Sequence, residues 1–310
     1  MALSPAHRWG QIIGEILEDA IESHLQQFAT THKLYLDKHG KRTVRGKKQK
    51  VRWQDTYGNF HDLDFVLERG GSDTEIGVPV AFVESAWRRY TKHSRNKAQE
   101  IQGALIPIME VWKNAAPRKA AILAGVFTED AITQMRSVGF HVALLDRADI
   151  VPAFQCVNID ADYDEATPTA VFTAKVDAWE ALSDADKTKV VNAIAKLLAP
   201  KMKALETELI NVLKRYITSV RVLPLHGTSC DCMSVASAIQ FIQDYEEDNA
   251  EYPFVKYEIQ IRYNNGDKID GQFQDKRDSL EFLQTFDLSV AYKLKAMQDL
   301  LVKESNSPEE

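Results

Sequence analysis

The stretch HDLDFVLERGGSDTEIGVPVAFVESAW, residues 61–87, contains two short apolar runs that are typical of neighbouring strands. The runs cover residues 61–68 and 78–86, and a turn rich in Gly, Ser and Asp joins them. Each run carries acids at or near its end, Asp62 and Asp64 in the first and Glu84 in the second. An unpaired buried carboxylate is costly, so acids on such strands are usually paired, neutralised or bound to a metal. The stretch therefore predicts either local ion pairs or a metal site.

The composition is that of a globular protein large enough for two domains. The chain has 310 residues, of which 45% are hydrophobic and 27% are charged. No apolar run approaches the length of a membrane span, and the first residues lack the layout of a signal peptide. Three cysteines occur, so no disulfide framework is expected and a reducing compartment is favoured. We therefore expect a cytoplasmic protein without a membrane partner.

Charge is distributed unevenly along the chain. Residues 1–150 hold 21 Lys and Arg against 18 Asp and Glu, a net charge of +3. Residues 151–310 hold 17 against 27, a net charge of −10. The overall charge of −7 argues against a protein that coats nucleic acid indiscriminately. We expect a polyanion to bind the first half and a different partner to bind the second.

Hydrophobic periodicity predicts a mixed α/β first half. Apolar residues recur at helical spacing over residues 8–28, which indicates an amphipathic helix. The other predicted elements around the strand pair are a strand at 32–36, a helix at 95–112, a strand at 120–127, a helix at 129–139 and a strand at 141–146. Pro107 is expected to kink its helix or to shift the start of that helix. This order is typical of a mixed sheet with helices on both faces.

The chain is predicted to divide into three parts. The first domain spans residues 1–157 and ends where an acidic, Pro-ended segment begins. A helical linker region follows over residues 158–218. A small α+β recognition or interaction domain then covers residues 219–310.

Two local signals organise the second half. Two helices are predicted on either side of Pro200, with Ser183 and Asp186 forming a capping-box-like start inside the first of them. Further on, alternating residues flank Asn265 and Gly266, a pair suited to a tight two-residue turn. The second signal predicts a β-hairpin.

A divalent metal is one partner that would satisfy the acids of the opening stretch. Mg²⁺ takes hard oxygen ligands at roughly 2.0–2.1 Å and keeps several waters. Asp64 and Glu84 supply the protein ligands if they lie at the same end of the sheet, and the carbonyl group of Ser85 adds another. The simpler alternative is that both are surface acids paired with nearby Lys or Arg.

Cations surround these acids in the sequence. Residues 38–52 contain eight basic residues and no acid, and residues 87–97 contain five more. Lys and Arg attract phosphates in a salt-dependent way, and an aromatic residue can stack on a base. The alternative is a solubilising surface. The residues predicted to contact DNA are Arg42, Arg45, Lys47, Lys48, Arg88, Arg89 and Arg95.

Taken together, the layout resembles the PD-(D/E)XK nuclease superfamily, which has the restriction-endonuclease-like fold. The resemblance covers about residues 8–150, and it implies a helix, three strands, a helix and a strand. It also implies catalytic acids, which here match Glu18 (or Glu15), Asp64 and Glu84. The resemblance implies that these acids coordinate Mg²⁺, with Mn²⁺ as a substitute, and that a water is activated for phosphodiester hydrolysis.

One position departs from the family pattern. Ala86 stands two residues after Glu84, where the motif has lysine. In this superfamily the lysine can migrate to a neighbouring element, and Lys92 and Lys97 are the candidates. Lys92 is preferred because it lies in the connection leaving the acid-bearing strand.

The resulting hypothesis is a metal-dependent endonuclease acting on double-stranded DNA, from a bacterial restriction or phage-defence system. It is expected to act as a homodimer or with a partner protein. The alternatives are an inactive DNA-binding scaffold subunit with a nuclease-like fold, and a structure-specific repair nuclease or resolvase.

Overall fold

A computed structural model gives the chain as two compact units, Met1–Leu209 and Ile210–Glu310. The described residues are 4–90, 94–164, 166–225, 227–248 and 253–287. The predicted lysine Lys92 lies outside them. The unit boundary differs from the predicted division because the helices of the predicted linker region belong with the first unit.

Helix α1 (Pro5–His32) contains the amphipathic segment predicted at residues 8–28. Ser4 caps its start, with the hydroxyl accepting a hydrogen bond from the His7 backbone N–H at 3.3 Å. Lys33 ends it in the left-handed backbone region, at a φ of 56°. The buried stripe consists of Trp9, Ile12, Ile13, Ile16, Leu17, Ala20, Ile21, Leu25, Phe28 and Ala29. Burial of this stripe fixes the rotation of α1 against the sheet.

The described residues of the first unit contain seven strands. They are β1 (Leu34–Lys38), β2 (Val51–Gln54), β3 (Phe60–Leu63), β4 (Phe65–Arg69), β5 (Val78–Arg88), β6 (Arg118–Gly125) and β7 (His141–Leu145). Five form one mixed sheet in the order β1-β4-β5-β6-β7, and β2 pairs with β3 in a separate hairpin. Strands β1, β4 and β5 pair antiparallel, whereas β5, β6 and β7 pair parallel.

The segment predicted as one strand at residues 61–68 is two strands in the structure. Strand β3 belongs to the small hairpin and β4 to the central sheet, with Asp64 between them. The alternating pattern of the sequence runs on through this point, so it gives no sign of the change of sheet. Phe65 lies opposite Val83 in the antiparallel register. That register places Asp64 next to Glu84.

The helices that complete the first unit are α2 (Ser94–Val111), α3 (Glu129–Ser137), α4 (Arg147–Ile150), α5 (Thr169–Glu180) and α6 (Asp184–Leu213). Short 3-10 turns lie at Thr43–Arg45 and Val151–Val157. Helix α2 continues through Pro107 rather than starting after it. Helix α1 contacts β1, β4 and β5, and α2 contacts β5.

The predicted break at Pro200 is wrong. Helix α6 runs through this proline, and the break lies earlier, between α5 and α6. There the Ser183 hydroxyl accepts a hydrogen bond from the Asp186 N–H at 3.2 Å, so the predicted cap starts the second helix. The helix stays continuous because its apolar stripe is buried on both sides of the proline, through Val190, Ile194, Leu198, Met202, Leu205 and Leu209.

The second unit is α+β. Its elements are β8 (Ile217–Leu225), β9 (Cys230–Cys232), α7 (Val235–Asp244), β10 (Lys256–Tyr263), β11 (Lys268–Phe273) and α8 (Lys276–Asp287). The four strands form an antiparallel sheet in the order β11-β10-β8-β9, and α7 and α8 pack against it. Among the residues that the structure describes, no helix is long and apolar enough to cross a membrane.

The predicted hairpin is confirmed, but its turn is of another type. Gly266 has a φ of 91°, and its N–H donates to the Tyr263 carbonyl at 3.1 Å. The Tyr263 N–H in turn donates to the Asp267 carbonyl at 2.9 Å. These bonds enclose a three-residue loop with glycine at its last position, the pattern of a type I turn with a glycine bulge.

Candidate functional site

Asp64 is held in place by the strand beside it. Its Oδ2 accepts hydrogen bonds from the Ser85 backbone N–H at 2.7 Å and from Ser85 Oγ at 2.9 Å. Its own N–H donates to Glu84 Oε1 at 3.3 Å. The two acids paired by the sequence analysis therefore lie side by side on neighbouring segments of the sheet.

Glu84 is a buried acid, with 6% of its surface exposed. Burial is the main cause that raises its pKa to about 8, and the negative charge of Asp64 raises it further. The hydrogen bond from the Asp64 N–H and the charge of Lys97 act in the opposite direction. In this environment a cation bound nearby would favour the ionised form of Glu84.

Glu18 reaches the same cluster from α1. Its Oε1 lies 3.5 Å from Ser85 Oγ. Glu18 is exposed at the surface, and partial desolvation followed by the negative charge of Asp64 raises its pKa to about 7. Glu15, the alternative helix acid, instead pairs with Arg8 at 2.9 Å. The structure thus brings Glu18 to Asp64.

The three acids are distributed over the two faces of the sheet. Successive strand residues point to opposite faces, so Ser85 faces α1 while Glu84 faces α2. Glu84 lines a cavity of about 430 Å³ together with Ile101 of α2. Asp64 and Glu18 line a larger cavity of about 670 Å³. The carboxyl groups of Asp64 and Glu84 therefore do not line a common cavity, whereas those of Asp64 and Glu18 do.

The donor atoms around Asp64 suit a hard divalent cation. Within the described ranges, no group of three or more His, Cys, Asp or Glu side chains is arranged to hold a metal ion. Mg²⁺ does not require such a group, because it is usually bound through one or two carboxylates, with waters and substrate phosphates as the other ligands. Asp64 with one neighbouring acid provides that number of carboxylates.

Of the two predicted catalytic lysines, Lys97 is the one that the structure describes, and it lies near the acids. It lies in the first turn of α2 and lines the larger cavity with Asp64 and Glu18. Its Nζ lies 2.6 Å from Glu100 Oε1. The location of the preferred candidate, Lys92, is outside the residues that the structure describes.

The prediction that Arg42 and Arg45 contact DNA is wrong. Arg42 is 1% exposed, and its guanidinium donates to both carboxylate oxygens of Glu68 at 2.7 and 2.9 Å. It also lies 2.9 Å from Asp37, with which the equally buried Arg45 pairs at 3.2 Å. Their acidic partners, Asp37 and Glu68, lie outside the basic run at residues 38–52, so the sequence of the run alone predicts an exposed segment. Both arginines hold the basic loop together from within.

Three other predicted phosphate contacts lie at the surface. Lys47 is exposed and Lys48 is half-buried. Arg95 is exposed and lies 3.8 Å from Asp130. These positions are compatible with binding to a phosphate backbone, which remains a prediction.

Arg88 and Arg89 line the larger cavity beside Trp87 and Tyr90. The Arg89 guanidinium lies over the Tyr90 ring at 4.2 Å and over the Phe172 ring at 5.1 Å. Arg88 Nη1 donates to the Trp87 carbonyl at 2.8 Å. Cations, aromatic rings and acids therefore share this cavity, although Arg89 is also engaged in packing.

Some side chains that complete the cavity wall were not predicted from the sequence. His7 and Gln11 lie on the same face of α1 as Glu18, and all three line the cavity. Gln11 follows His7 by four residues and precedes Glu18 by seven. Their signal is a polar periodicity on the face of α1 opposite the apolar stripe. A role for the Ser85 hydroxyl was not predicted either, because the sequence indicated only the Ser85 carbonyl group as a ligand. It lies between Asp64 and Glu18 and links them.

Comparisons with known proteins identify no family for the chain. No family model matches it, and no curated protein matches it. Among solved structures it is similar to a crystal structure described as a protein of unknown function, AF1548, with 13% identity and a TM-score of 0.27. The similarity covers 58% of this chain and 95% of the other. A TM-score of this size supports no conclusion about fold or function.

Proposed function

We propose that the first unit is a Mg²⁺-dependent endonuclease that hydrolyses phosphodiester bonds of DNA. The observation that carries the proposal is that Glu18 and Asp64 line one cavity together with two arginines, while Glu84 accepts a hydrogen bond from the Asp64 N–H. Crowded acids need a cation, and exposed cations attract an anion. A divalent metal between the acids and a DNA phosphate satisfies both requirements.

The order of the elements supports a restriction-endonuclease-like core. The resemblance to the PD-(D/E)XK superfamily implies a helix, three strands, a helix and a strand. Helix α1, the antiparallel strands β1, β4 and β5, and then α2 and β6 follow that order. In this interpretation the β2–β3 hairpin is an insertion directly before Asp64.

Asp64 is the central metal ligand in this proposal. The resemblance assigns the second carboxylate to Glu84 and a further oxygen to the Ser85 carbonyl, whereas the shared cavity favours Glu18. When bound, Mg²⁺, or Mn²⁺ in its place, lowers the pKa of a water and stabilises charge on the scissile phosphate. The oxygen ligands available here suit both ions.

Lys97 is proposed to work beside these acids. Its position in the cavity allows its ammonium to donate a hydrogen bond to an attacking water and to offset negative charge in the transition state. Its ammonium is paired with Glu100, which lines the smaller cavity together with Glu84. The resemblance leaves Lys92 as the alternative.

Double-stranded DNA is the proposed substrate because cations line the cavity and others lie at the surface of the same unit. Arg88 and Arg89 lie within it, and Arg95, Lys47 and Lys48 lie at the surface. Binding through such contacts weakens steeply as salt concentration rises. The proposed setting is bacterial restriction or phage defence in the cytoplasm. The acidic second half would then contact a second copy or a partner protein.

A DNA-binding scaffold that does not cut is the second candidate. Two observations favour it: Ala86 occupies the position of the family lysine, and the carboxyl groups of Asp64 and Glu84 line different cavities. A structure-specific repair nuclease or resolvase shares the proposed chemistry and differs only in its substrate.

Plasmid cleavage tests the proposal. The purified chain should nick or cut plasmid with Mg²⁺ and not with EDTA. Asp64→Asn should lower the rate by roughly 10²–10³-fold, the usual effect of removing one electrostatic stabiliser. Asp177→Asn, an exposed acid on α5, is the matched control and should leave the rate unchanged. DNA binding without Mg²⁺-dependent cutting would favour the scaffold instead.

The same assay identifies the second carboxylate. Glu18→Gln and Glu84→Gln remove one charge each and keep the shape of the side chain. The variant that loses as much activity as Asp64→Asn marks the acid that works with Asp64. Full activity in both variants would contradict the proposed metal site.

A further inference from the structure

Two cysteine side chains meet in the second unit. Cys230 and Cys232 begin and end strand β9, and Asp231 stands between them. Successive strand residues point to opposite faces, so both thiols lie on one face of β9. The Asp231 carboxylate lies on the other face, where it pairs with Arg221 at 2.7 Å. The two cysteines are free thiols, and their Sγ atoms are 2.9 Å apart.

The separation of the two sulfur atoms favours a disulfide pair over a pair of metal ligands. A disulfide holds its sulfur atoms about 2.05 Å apart. A tetrahedral Zn²⁺, with Zn–S distances of about 2.3 Å, would hold two thiolates roughly 3.8 Å apart. The observed atoms are already closer than that, and about 0.9 Å of further approach would bring them to bonding distance. Within the described residues, no group of three His, Cys, Asp or Glu side chains that could hold a metal includes them.

The two thiols differ in their access to solvent. Cys232 is 4% exposed and belongs to the hydrophobic core of the second unit. Burial raises the pKa of the Cys232 thiol to about 12, and the hydrogen bond with Cys230 raises it further. Cys230 is half-buried. A reagent in solution therefore reaches Cys230 first, while Cys232 waits in direct contact with it as a protonated thiol.

A bond between these two residues would be easily reduced. Residues two apart in a strand have Cα atoms roughly 6.6 Å apart, close to the upper limit of about 6.8 Å for disulfides. Distorted disulfides store strain, and strained disulfides are the labile and regulatory ones. Strand β9 has three residues and is last in the order β11-β10-β8-β9 of the described strands, so few backbone hydrogen bonds oppose the necessary distortion.

We propose that Cys230 and Cys232 form a reversible thiol–disulfide pair that reacts with small-molecule disulfides. Such transient pairs are the kind of disulfide found in reducing compartments. The proposal concerns the second unit, so it goes beyond the proposed nuclease function and does not depend on it.

The reaction proceeds by two exchange steps. Cys230 loses its proton to solvent, and its thiolate attacks one sulfur of the small disulfide, which gives a mixed disulfide and one released thiolate. That thiolate takes the proton of Cys232, and the Cys232 thiolate then attacks Cys230 Sγ. The second thiolate leaves and takes a proton from solvent. The two cysteines together lose two electrons and two protons, and the small disulfide is reduced to two thiols.

Reaction of the full chain with oxidised glutathione tests the proposal. After an acid quench, the chain is unfolded, remaining thiols are labelled with N-ethylmaleimide, and the peptides are analysed by mass spectrometry. The peptide that contains Cys230 and Cys232 should lack two hydrogen atoms and carry neither glutathione nor label. Excess reduced glutathione should restore both thiols. Cys156→Ser, which removes an exposed cysteine of the first unit, is the matched control and should leave this result unchanged.

Two variants test the order of attack. Cys232→Ser removes the second thiol, so glutathione should remain on Cys230 as a mixed disulfide. If that variant does not fold, Cys232→Ala, which keeps an apolar side chain in the core, takes its place. Cys230→Ser should leave Cys232 without glutathione, because the core shields it.

The unmodified chain alone can overturn the proposal. Glutathione retained on Cys230, or N-ethylmaleimide on both Cys230 and Cys232, would show that the two sulfurs do not form a bond. A bond that excess reduced glutathione fails to open would show that the pair is not reversible. None of these results depends on DNA or on Mg²⁺, so the outcome is separate from that of the cleavage assay.

Discussion

Two groups of acids flank strand β4, and the neighbouring charges that act on them have opposite signs. At the C-terminal end, Glu68 and the neighbouring Asp37 are completely buried and share the guanidinium of Arg42. Burial raises the pKa of both acids, and the positive charge of Arg42 opposes that increase. Arg45 completes this group by pairing with Asp37.

At the N-terminal end of β4, Asp64 lies beside Glu18 and Glu84. Burial again raises the pKa of the two glutamates, but here the next contribution is the negative charge of Asp64, which raises it further. The positive charge of Lys97 opposes this increase for Glu84, and this lysine is itself paired with Glu100.

The comparison shows that burial of acids does not by itself indicate a site. Burial raises the pKa of acids in both groups, and what distinguishes the groups is whether the protein supplies the counter-charge. The Arg42 group is neutralised permanently and holds a loop in place. The Asp64 group leaves neighbouring acids without an arginine of their own, an arrangement that an exchangeable cation would stabilise.

The largest effect is expected from breaking the neutralised group. Arg42→Met leaves Glu68 and Asp37 buried without their main partner, which should lower the free energy of unfolding by roughly 3–5 kcal/mol. Urea denaturation at neutral pH measures the change, and Arg95→Met, at an exposed arginine, is the control. A loss below about 1 kcal/mol in Arg42→Met would mean that the buried ion pairs contribute little.

The opposite effect on stability is expected at Glu84, where a substitution should stabilise the chain. Its pKa in the folded chain is raised to about 8 from an ordinary value of 4.5, so the folded state holds its proton more tightly than the unfolded state. Stability should therefore fall as pH rises between these values. In EDTA, Glu84→Gln should be more stable than the unmodified chain at pH 9, by roughly 3 kcal/mol after the cost of burying the amide.

The advantage of Glu84→Gln should vanish near pH 4, where the glutamate is protonated in both states. Denaturation curves at the two pH values measure it. Glu110→Gln, which alters an exposed acid of α2, should show no such pH dependence. A Glu84→Gln variant that is less stable than the unmodified chain at pH 9 would show that the carboxylate is already well neutralised.

Much of the fold could be predicted from the sequence because local patterns of apolar and polar residues determine many of its elements. The periodicity of α1 predicted a buried stripe from Ile12 to Phe28, and the structure buries it. The continuous helix at Pro200 and the change of sheet at Asp64 were not predicted. Both depend on packing against distant segments, which overrides a local proline signal and a local alternation.

The candidate site was predictable in part for the same reason. The adjacency of Asp64 and Glu84 follows from counting along a strand pair. The burial of Arg42 does not, because its partner Glu68 lies 26 residues away in the chain. The separation of the acids into two cavities was also missed, because Asp64 lies outside a regular strand and turns toward Ser85.

A smaller effect is expected from Ser85→Ala. Its hydroxyl orients Asp64 and lies between that residue and Glu18. Removing a group that orients a metal ligand typically lowers metal affinity 10- to 100-fold, and we expect a value near 10-fold because the Ser85 backbone N–H still holds Asp64. Calorimetric titration with Mn²⁺ measures the affinity. An unchanged affinity would place the hydroxyl outside the metal site.

Calorimetric titration of the unmodified chain with Mn²⁺ tests the central claim most directly. We predict that the chain and its Asp177→Asn control bind the ion at pH 8, that binding weakens toward pH 6 because the ligands must lose protons, and that Asp64→Asn loses it. Absence of binding by the unmodified chain, or equal binding by Asp64→Asn, would contradict the claim that the acids around Asp64 form a divalent-cation site.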